Sequence, residues 1–394
     1  MALTDAVVVD VVRTPSGRGK PGGSLSGVHP VDLLAGVLDD LVSRNGISGD
    51  QIDDVIAGCV SQVGEQSLNI ARNAALGAGF PTSVPGVTID RQCGSSQQAV
   101  TFAAQAVMTG MNDIVIAAGV ESMSRIPLGV APGDSDAYGS RVAARFPGGL
   151  IPQGLSAELI AAKWNYSRAQ LDDFSAESHR RASEAWERGD FGRSISAVTT
   201  ESGLVDRDET VRPDTTAERL AGLKPAFYSE ASARRFPEIR WSITPGNSSP
   251  LTDAASAALI MSSEKAKALG LRPRARLHSS AAVGSDPIFM LTGVVPATRA
   301  VLDRAGLSID DIDAFEVNEA FAPVPLYWRD ETGADAAKLN PWGGAIALGH
   351  ALGASGTRLL GTLIDYLDAT GGRYGLQTMC EGGGMANATV VERL

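Results

Sequence analysis

Residues 46–56 read Gly46-Ile-Ser-Gly-Asp-Gln-Ile-Asp-Asp-Val-Ile56, and residues 306–316 read Gly306-Leu-Ser-Ile-Asp-Asp-Ile-Asp-Ala-Phe-Glu316. Serine, aspartate, isoleucine and aspartate recur at the same steps, and 306 − 46 gives an offset of 260. Self-similarity at a fixed offset marks a duplicated unit. The same offset pairs the helix expected after Cys93 with the one after Gly353, and the strand Asp113–Ala118 with Arg373–Thr378. In each copy an amphipathic helix leads to a glycine stop, with Leu34, Leu38, Leu41 and Val42 marking the first and Ala300, Val301, Leu302 and Ala305 the second. A short strand follows, Asp54–Cys59 or Ala314–Val317. Runs such as Ile114-Val-Ile-Ala-Ala118 are apolar at every position, which predicts strands buried on both faces. Strands alternating with helices predict an α/β protein with parallel sheets.

The interval from about 122 to 247 breaks this rhythm. It holds Pro127, Pro132, Pro147 and Pro152 with glycines between them, and one surface helix. Ser167 and Gln170 form a capping box for that helix, and Leu171, Phe174, Ser178, Ala182 and Ala185 mark one face. It reads as an insertion in the first half, placed to cover a site built on the scaffold. The expected division is therefore a first half, 1–121 completed by 248–270, an inserted loop domain, 122–247, and a second half, 271–394.

With 394 residues, 44% of them hydrophobic, the chain can bury one large core or two ordinary ones. Its net charge of −11 argues against a surface that holds nucleic acid. The basic residues Arg219, Lys224, Arg234, Arg235 and Arg240 lie among Glu230 and Glu238 and read mainly as a solvated face. The run Ala6–Val12 reads as a strand, so no secretory leader is expected, and no run reaches the ~20 apolar residues of a membrane span. Cys59, Cys93 and Cys380 form no CxxC pair, so neither a disulfide framework nor a metal site is expected. These features fit a cytoplasmic protein.

Cys93 sits in Asp90-Arg-Gln-Cys-Gly-Ser-Ser-Gln-Gln98, between a strand, Gly86–Ile89, and a helix. Unpaired N–H groups at a helix start stabilise a thiolate and can hold an oxyanion. Taken alone, Cys93 is equally well a small buried hydrophobe. His350 sits in Gly343-Gly-Ala-Ile-Ala-Leu-Gly-His-Ala-Leu-Gly-Ala-Ser-Gly356, whose glycines permit tight turns. The 260-residue offset projects this loop onto the Cys93 loop, so a Cys–His pair is expected at a pseudo-twofold junction. His179, on an exposed-looking helix, and His278, in a strand, read as structural. Cys380, at the end of what reads as the last apolar strand, precedes Glu381 and a glycine run, and Asn318-Glu-Ala-Phe-Ala322 follows another strand end. Strand ends of a parallel sheet border ligand crevices, and an amide there can fix a water or donate to an oxyanion.

Cys93-Gly-Ser-Ser96, Asn318-Glu-Ala-Phe321, Gly349-His350 and Cys380-Glu-Gly382 resemble, in order and spacing, the four motifs of the thiolase family. The similarity runs from Val12-Arg-Thr-Pro15 to the terminus and includes Ala118-Gly-Val-Glu-Ser-Met-Ser124, Leu223-Lys-Pro-Ala-Phe227 and Gly246-Asn-Ser-Ser249 with Asp253. Arg91–Ala99 and Tyr374–Gly384 look most like actinobacterial acyl-CoA thiolases of lipid and sterol catabolism. The resemblance implies the thiolase fold, two duplicated βαβ-type halves layered α-β-α-β-α with an inserted loop domain. It implies acyl transfer between CoA thioesters, with Cys93 acylated, His350 activating it, and Asn318 holding a water that helps His350 stabilise an oxyanion. Cys380 would move the α-proton, and the N–H groups of Cys93 and Gly382 would form a second oxyanion hole. Ser249 and Lys224 would contact CoA. CoA and acyl-CoA are implied as substrates, with no permanently bound cofactor, no metal and a homotetramer built as a dimer of dimers.

Several positions depart from the family pattern. Ala351 stands where proline is usual after the histidine, Ala254 replaces a common glycine, and Pro152 and Gln153 stand where short-chain biosynthetic members carry histidine and methionine. Extra residues occur at about 232–242. A decarboxylating ketoacyl synthase would carry histidine or asparagine in place of Cys380, and a cysteine protease gives no reason for the second cysteine or the repeat. A silent acyl-CoA binder remains the alternative that the altered Ala351 and Pro152 suggest.

Overall fold

The computed structural model describes residues 4–394. The strands along its main sheet are β1 (Val7–Arg13), β2 (Asp54–Gly58), β3 (Gly86–Ile89), β4 (Ile114–Ser122), β5 (Thr252–Met261), β6 (Ala275–Gly284), β7 (Ala314–Val317), β8 (Tyr374–Glu381) and β9 (Met385–Arg393), with the two-residue strand Gly17–Arg18 added against β5. They lie in the order β7-β8-β9-β6-β1-β5-β4-β2-β3. The two sets meet where Val7 and Val8 of β1 pair with Arg276 and Ala275 of β6.

The repeated stretch does the same work in both copies. Ser48 and Ser308 each open a 3₁₀ turn closed by a capping box, with Gln51 and Asp311 as the returning side chains. The next aspartate then holds the start of the central strand. Asp53 accepts from the N–H groups of Asp113 and Ile114 at 2.6 and 2.9 Å, and Asp313 from those of Arg373 and Tyr374 at 2.7 and 3.0 Å. Register repeats too. Val55 pairs with Ile116, and Phe315 with Leu376; 315 − 55 and 376 − 116 both equal 260.

Strand direction departs from the sequence expectation. β2, β3 and β4 are parallel, as are β7 and β8, but β5 runs antiparallel to both β4 and β1, and β9 antiparallel to β8 and β6. The sheet is mixed. The cause in the second half is local: Glu381 pairs with Met385 across Gly382–Gly384, a hairpin too short for a parallel crossover. Cys380 therefore lies on the penultimate strand, not the last.

Helices α1 (Pro30–Arg44) and α2 (Ile70–Gly77) cover one side of the first half, and α3 (Ser95–Met108) the other. Strand alternation sorts the core accordingly. Ile114, Ile116 and Ala118 join Leu34, Leu38 and Leu41 outside, whereas Val115 and Ala117 join Val100, Ala103 and Val107 within. The later helices that frame the site include α4 (Gln153–Lys163), α5 (Arg168–Arg188) and α6 (Val294–Ala305). The latter covers β6 and β9, and α7 (Ser355–Thr370) packs on α3 between the two strand sets. This is the α-β-α-β-α layering. The α3–α7 contact is close because Gly356 lies against Gln97, where a methyl group would strike the backbone nitrogen.

Residues 123–251 leave the sheet between β4 and β5 and carry α4 and α5. The capping box at Ser167 forms, and Leu171, Ser178, Ala182 and Ala185 are buried while Phe174 is half-buried. His179 is buried, contrary to expectation. Its Nδ1 accepts from the Arg212 N–H at 3.2 Å because the chain folds back over that face. A buried ion pair, Arg13 to Asp208 at 2.7 Å, ties this excursion to β1. Among the described residues no helix is long and apolar enough to cross a membrane.

Candidate active site

Cys93 occupies a strapped turn between β3 and α3. Gln92 takes a left-handed φ of 50°, which costs a non-glycine residue about 1 kcal/mol. Local bonds hold it there. The Asp90 carboxylate accepts from the Gln92 N–H at 2.6 Å, and Ser95 Oγ donates to the Gln92 carbonyl at 2.6 Å while accepting from the Arg91 N–H at 2.9 Å. Cys93 is only 3% exposed, and burial pushes its thiol up to about 12; Gln153 opposes this and the charge of Glu381 adds to it. Gln153, at the start of α4, donates from Nε2 toward Sγ at 3.9 Å. In the sequence, Gln153 is marked only by standing where short-chain biosynthetic members carry methionine.

His350 is buried at the end of the glycine-rich loop. Its N–H donates to Thr252 Oγ1 at 2.9 Å. Ser355 Oγ donates to the Ala351 carbonyl at 2.8 Å and lies 2.6 Å from His350 Nδ1. Assigned from this network, Nδ1 carries the proton and donates to Ser355, which leaves Nε2 unprotonated as an acceptor. Asn318 Nδ2 is 3.4 Å from that Nε2. Burial first, then the charge of the buried Arg358, pushes the imidazole down to about 3. Both side chains thus rest uncharged, a neutral thiol and a neutral imidazole.

Asn318 follows β7, and its N–H donates to the Thr378 carbonyl at 3.0 Å. Its Oδ1 is buried with no protein partner, which suits an amide meant to hold a further polar group. The adjacent Glu319 fastens two loops together. It accepts from Ser178 Oγ at 2.7 Å, Asn340 Nδ2 at 2.8 Å and the Ile346 N–H at 3.1 Å, joining the α5 face to the loop that ends at His350.

Cys380 is fully buried, and burial raises its thiol well above the usual value, with Cys93 and Glu381 acting in the same direction when ionised. The hairpin tip beyond it abuts the Cys93 turn: a Cβ on Gly382 would lie 2.7 Å from Gln92 Oε1. Cys93, Leu352 beside the His350 loop and Met379 beside Cys380 pack as one cluster with Met123 and Leu359. Charge on Cys93 bears on the Cys380 thiol, Asn318 meets His350, and Gly382 abuts the Cys93 turn. Ser249 joins the Asn318 loop, donating through both N–H and Oγ to the Ala320 carbonyl at 3.0 and 3.1 Å. Lys224 is exposed on a neighbouring segment, whose Phe227 packs edge-on against Phe321 at 5.9 Å. Sequence reading missed Ser355, Thr252, Arg358 and Glu319 as support. Of these, Glu319 lies inside the Asn318-Glu-Ala-Phe321 motif and Ser355 is a hydroxyl five residues beyond the histidine, whereas Thr252 and Arg358 carry no local signal.

A nucleophilic thiol, an unprotonated imidazole nitrogen, a second buried thiol and orphan polar groups suit acyl transfer at a carbonyl. Comparison with known proteins agrees. The chain is 48% identical over 400 residues to a steroid 3-ketoacyl-CoA thiolase of Mycobacterium tuberculosis, covering 100% of this chain and 95% of that one. It is 44% identical over 399 residues to a 3-ketoacyl-CoA thiolase of Saccharophagus degradans, covering 99% and 98%. The crystal structure of the Bacillus anthracis acetyl-CoA acetyltransferase superposes with a TM-score of 0.89 at 36% identity, covering all of both chains. The family models for the thiolase N-terminal domain and the thiolase C-terminal domain match residues 6–264 and 271–393, so the motifs, the layered fold and the relatives converge: the chain belongs to the thiolase family of acyltransferases.

Proposed function

We propose that the protein cleaves 3-ketoacyl-CoA with CoA, giving acetyl-CoA and a shortened acyl-CoA, and runs the reverse Claisen condensation through the same acyl-Cys93 intermediate. The observation that carries this reading is the single cluster in which Cys93 meets the ends of the His350 and Cys380 elements. In the cleavage direction His350 Nε2 takes the Cys93 proton and Sγ attacks the 3-keto carbon. The C2–C3 bond breaks, its electrons pass into a thioester enolate, and the Cys380 S–H protonates C2. CoA then gives its proton to the Cys380 thiolate, its sulfur attacks the acyl-Cys93 thioester, and Cys93 leaves as a thiolate that recovers the proton held by His350. Asn318 helps hold the oxyanion beside His350, and the N–H groups of Cys93 and Gly382 hold the other.

CoA and acyl-CoA bind along the edge marked by Ser249, with Lys224 nearer the nucleotide, and no resident cofactor is required. The chain works as a cytoplasmic homotetramer, a dimer of dimers. Its parts are a first half (1–121 with 248–270), an inserted loop domain (122–247) and a second half (271–394); the repeated register and the excursion between β4 and β5 support this division. Beside Gln153, the apolar cluster of Ile151, Leu155 and Phe227 with Phe289 favours an acyl group longer than acetoacetyl, of lipid or sterol origin. Thiolysis is therefore expected to rise in kcat/KM from acetoacetyl-CoA to longer and ring-bearing 3-ketoacyl-CoAs. Folded protein with no turnover at any length ends the reading.

Acidity supplies a separate check. With His350 pushed down to about 3, the neutral ring outnumbers the protonated one about a hundredfold at pH 5. We expect kcat/KM to stay flat between pH 7 and 5, without the fall near 6.5 that an unperturbed histidine imposes. A midpoint near 6.5 assigned to His350 by its loss in His350→Asn contradicts this.

A further inference from the structure

The duplication supplies an internal control for one carboxyl that the chemistry above does not use. The 260-residue offset makes Glu121, near the end of β4, the twin of Glu381 at the end of β8, and both are fully buried. Glu121 is satisfied. It accepts from the N–H groups of Val60, Ser61 and Gly353 and from Gln66 Nε2, at 2.9 to 3.0 Å. Glu381 has no hydrogen-bond partner on either oxygen.

Divergence of the second copy explains the difference. The offset turns Gln66 into Leu326, which has no amide to donate. It turns Val60 and Ser61 into Ala320 and Phe321, and that loop is drawn instead to Ser248 and Ser249 through the Ala320 carbonyl and the Ser248–Phe321 bridge. The fourth donor, Gly353, maps onto Cys93. Glu381 thus keeps its twin's place without its twin's bonds. Its carboxylate lies against Gly94, where a methyl group would collide with Oε1, directly after Cys93 at the start of α3.

A buried carboxyl without partners is expensive to ionise and is retained only where something offsets the cost. Here the site is the positive end of a 14-residue helix, the same end that favours a thiolate on Cys93. We propose that Glu381 is a positioning residue whose charge state sets how readily Cys93 gives up its proton: uncharged it leaves the helix end to the thiolate, ionised it opposes it. This rests on Cys93 being the nucleophile. The charged and titratable groups around Glu381 are Arg91, which favours its ionisation, Asp90, which disfavours it, and the thiols of Cys93 and Cys380; Glu121 also bears on Cys93, and β9 presents the uncharged Asn387. Burial holds the Glu381 carboxyl up to about 8, so the change of charge falls within reach of experiment.

The test is the pH profile of Cys93 alkylation by iodoacetamide on the full chain, with the modified cysteine identified by peptide mass. In Glu381→Gln the Cys93 midpoint is expected about one unit lower than in wild type. Below both midpoints but above about pH 8, where wild-type Glu381 is ionised, the rate is then about threefold faster, since a less basic thiolate is also less nucleophilic, and the two rates converge where Glu381 is uncharged. Glu381→Asp, which keeps the charge, is expected to return the midpoint toward wild type. Thermal unfolding at pH 9 is measured alongside: Glu381→Gln should be no less stable than wild type, because no hydrogen bond is lost, whereas Glu121→Gln should melt lower. A reactive Cys93 whose midpoint is unmoved or raised by Glu381→Gln overturns this inference alone, as does a Glu381→Gln protein that melts as Glu121→Gln does. A Cys93 inert in the wild type overturns the nucleophile reading as well.

Discussion

Cys93→Ala is expected to fold as the wild type does and to lose thiolysis by about ten-thousandfold or more, because no covalent acyl acceptor remains. The fold survives because the turn is held by Asp90, Ser95 and backbone bonds, none of which passes through the thiol. What residual rate persists comes from binding and oxyanion stabilisation, which the substitution leaves in place. Mass spectrometry supplies the companion measurement. Wild-type protein mixed with acyl-CoA gains the mass of one acyl group on the peptide containing Cys93, and Cys93→Ala gains none. An acyl group found on Cys59 or Cys380 in the wild type would transfer the nucleophile's role elsewhere.

Cys380→Ala separates the two halves of the reaction. Exchange of an acyl group between acyl-CoA and labelled CoA needs Cys93 and His350 but no proton transfer at carbon. Carbon–carbon cleavage needs an acid at C2. We expect cleavage to fall by about a thousandfold, within the range for loss of a general acid, while exchange stays within about tenfold of wild type. The buried Cys380 thiol, made far less acidic than usual by burial, is kept in the S–H form this role demands. Equal losses in both reactions would mean that Cys380 supports the fold around Cys93 instead of moving a proton. Removing two groups that act in succession is not additive, so the double variant is expected to resemble Cys93→Ala.

These expectations stand on a pairing of loops that the sequence announced. The repeated stretch at Gly46 and Gly306 carries its meaning locally: a serine to cap a turn and an aspartate to hold the next strand, features of a few residues. So do the apolar runs of β4 and β8, the capping box at Ser167 and the motif loops at Cys93, Asn318, His350 and Cys380. Strand direction was less legible. The hairpin after Cys380 depends on three glycines that, in sequence, read equally as a loop at the mouth of a crevice.

From the linear chain alone came the duplication, its offset, the α/β class and the main candidate side chains, because each is written in periodicity, turn chemistry or residue type over short spans. Folding in three dimensions decided the mixed sheet, the burial of His179, the Gln153 contact with Cys93, the Ser355 hold on the imidazole and the isolation of Glu381. Each of those depends on which surfaces come to share one low-dielectric interior. Two glutamates 260 residues apart are indistinguishable as letters; donors brought to one and withheld from the other make them different acids.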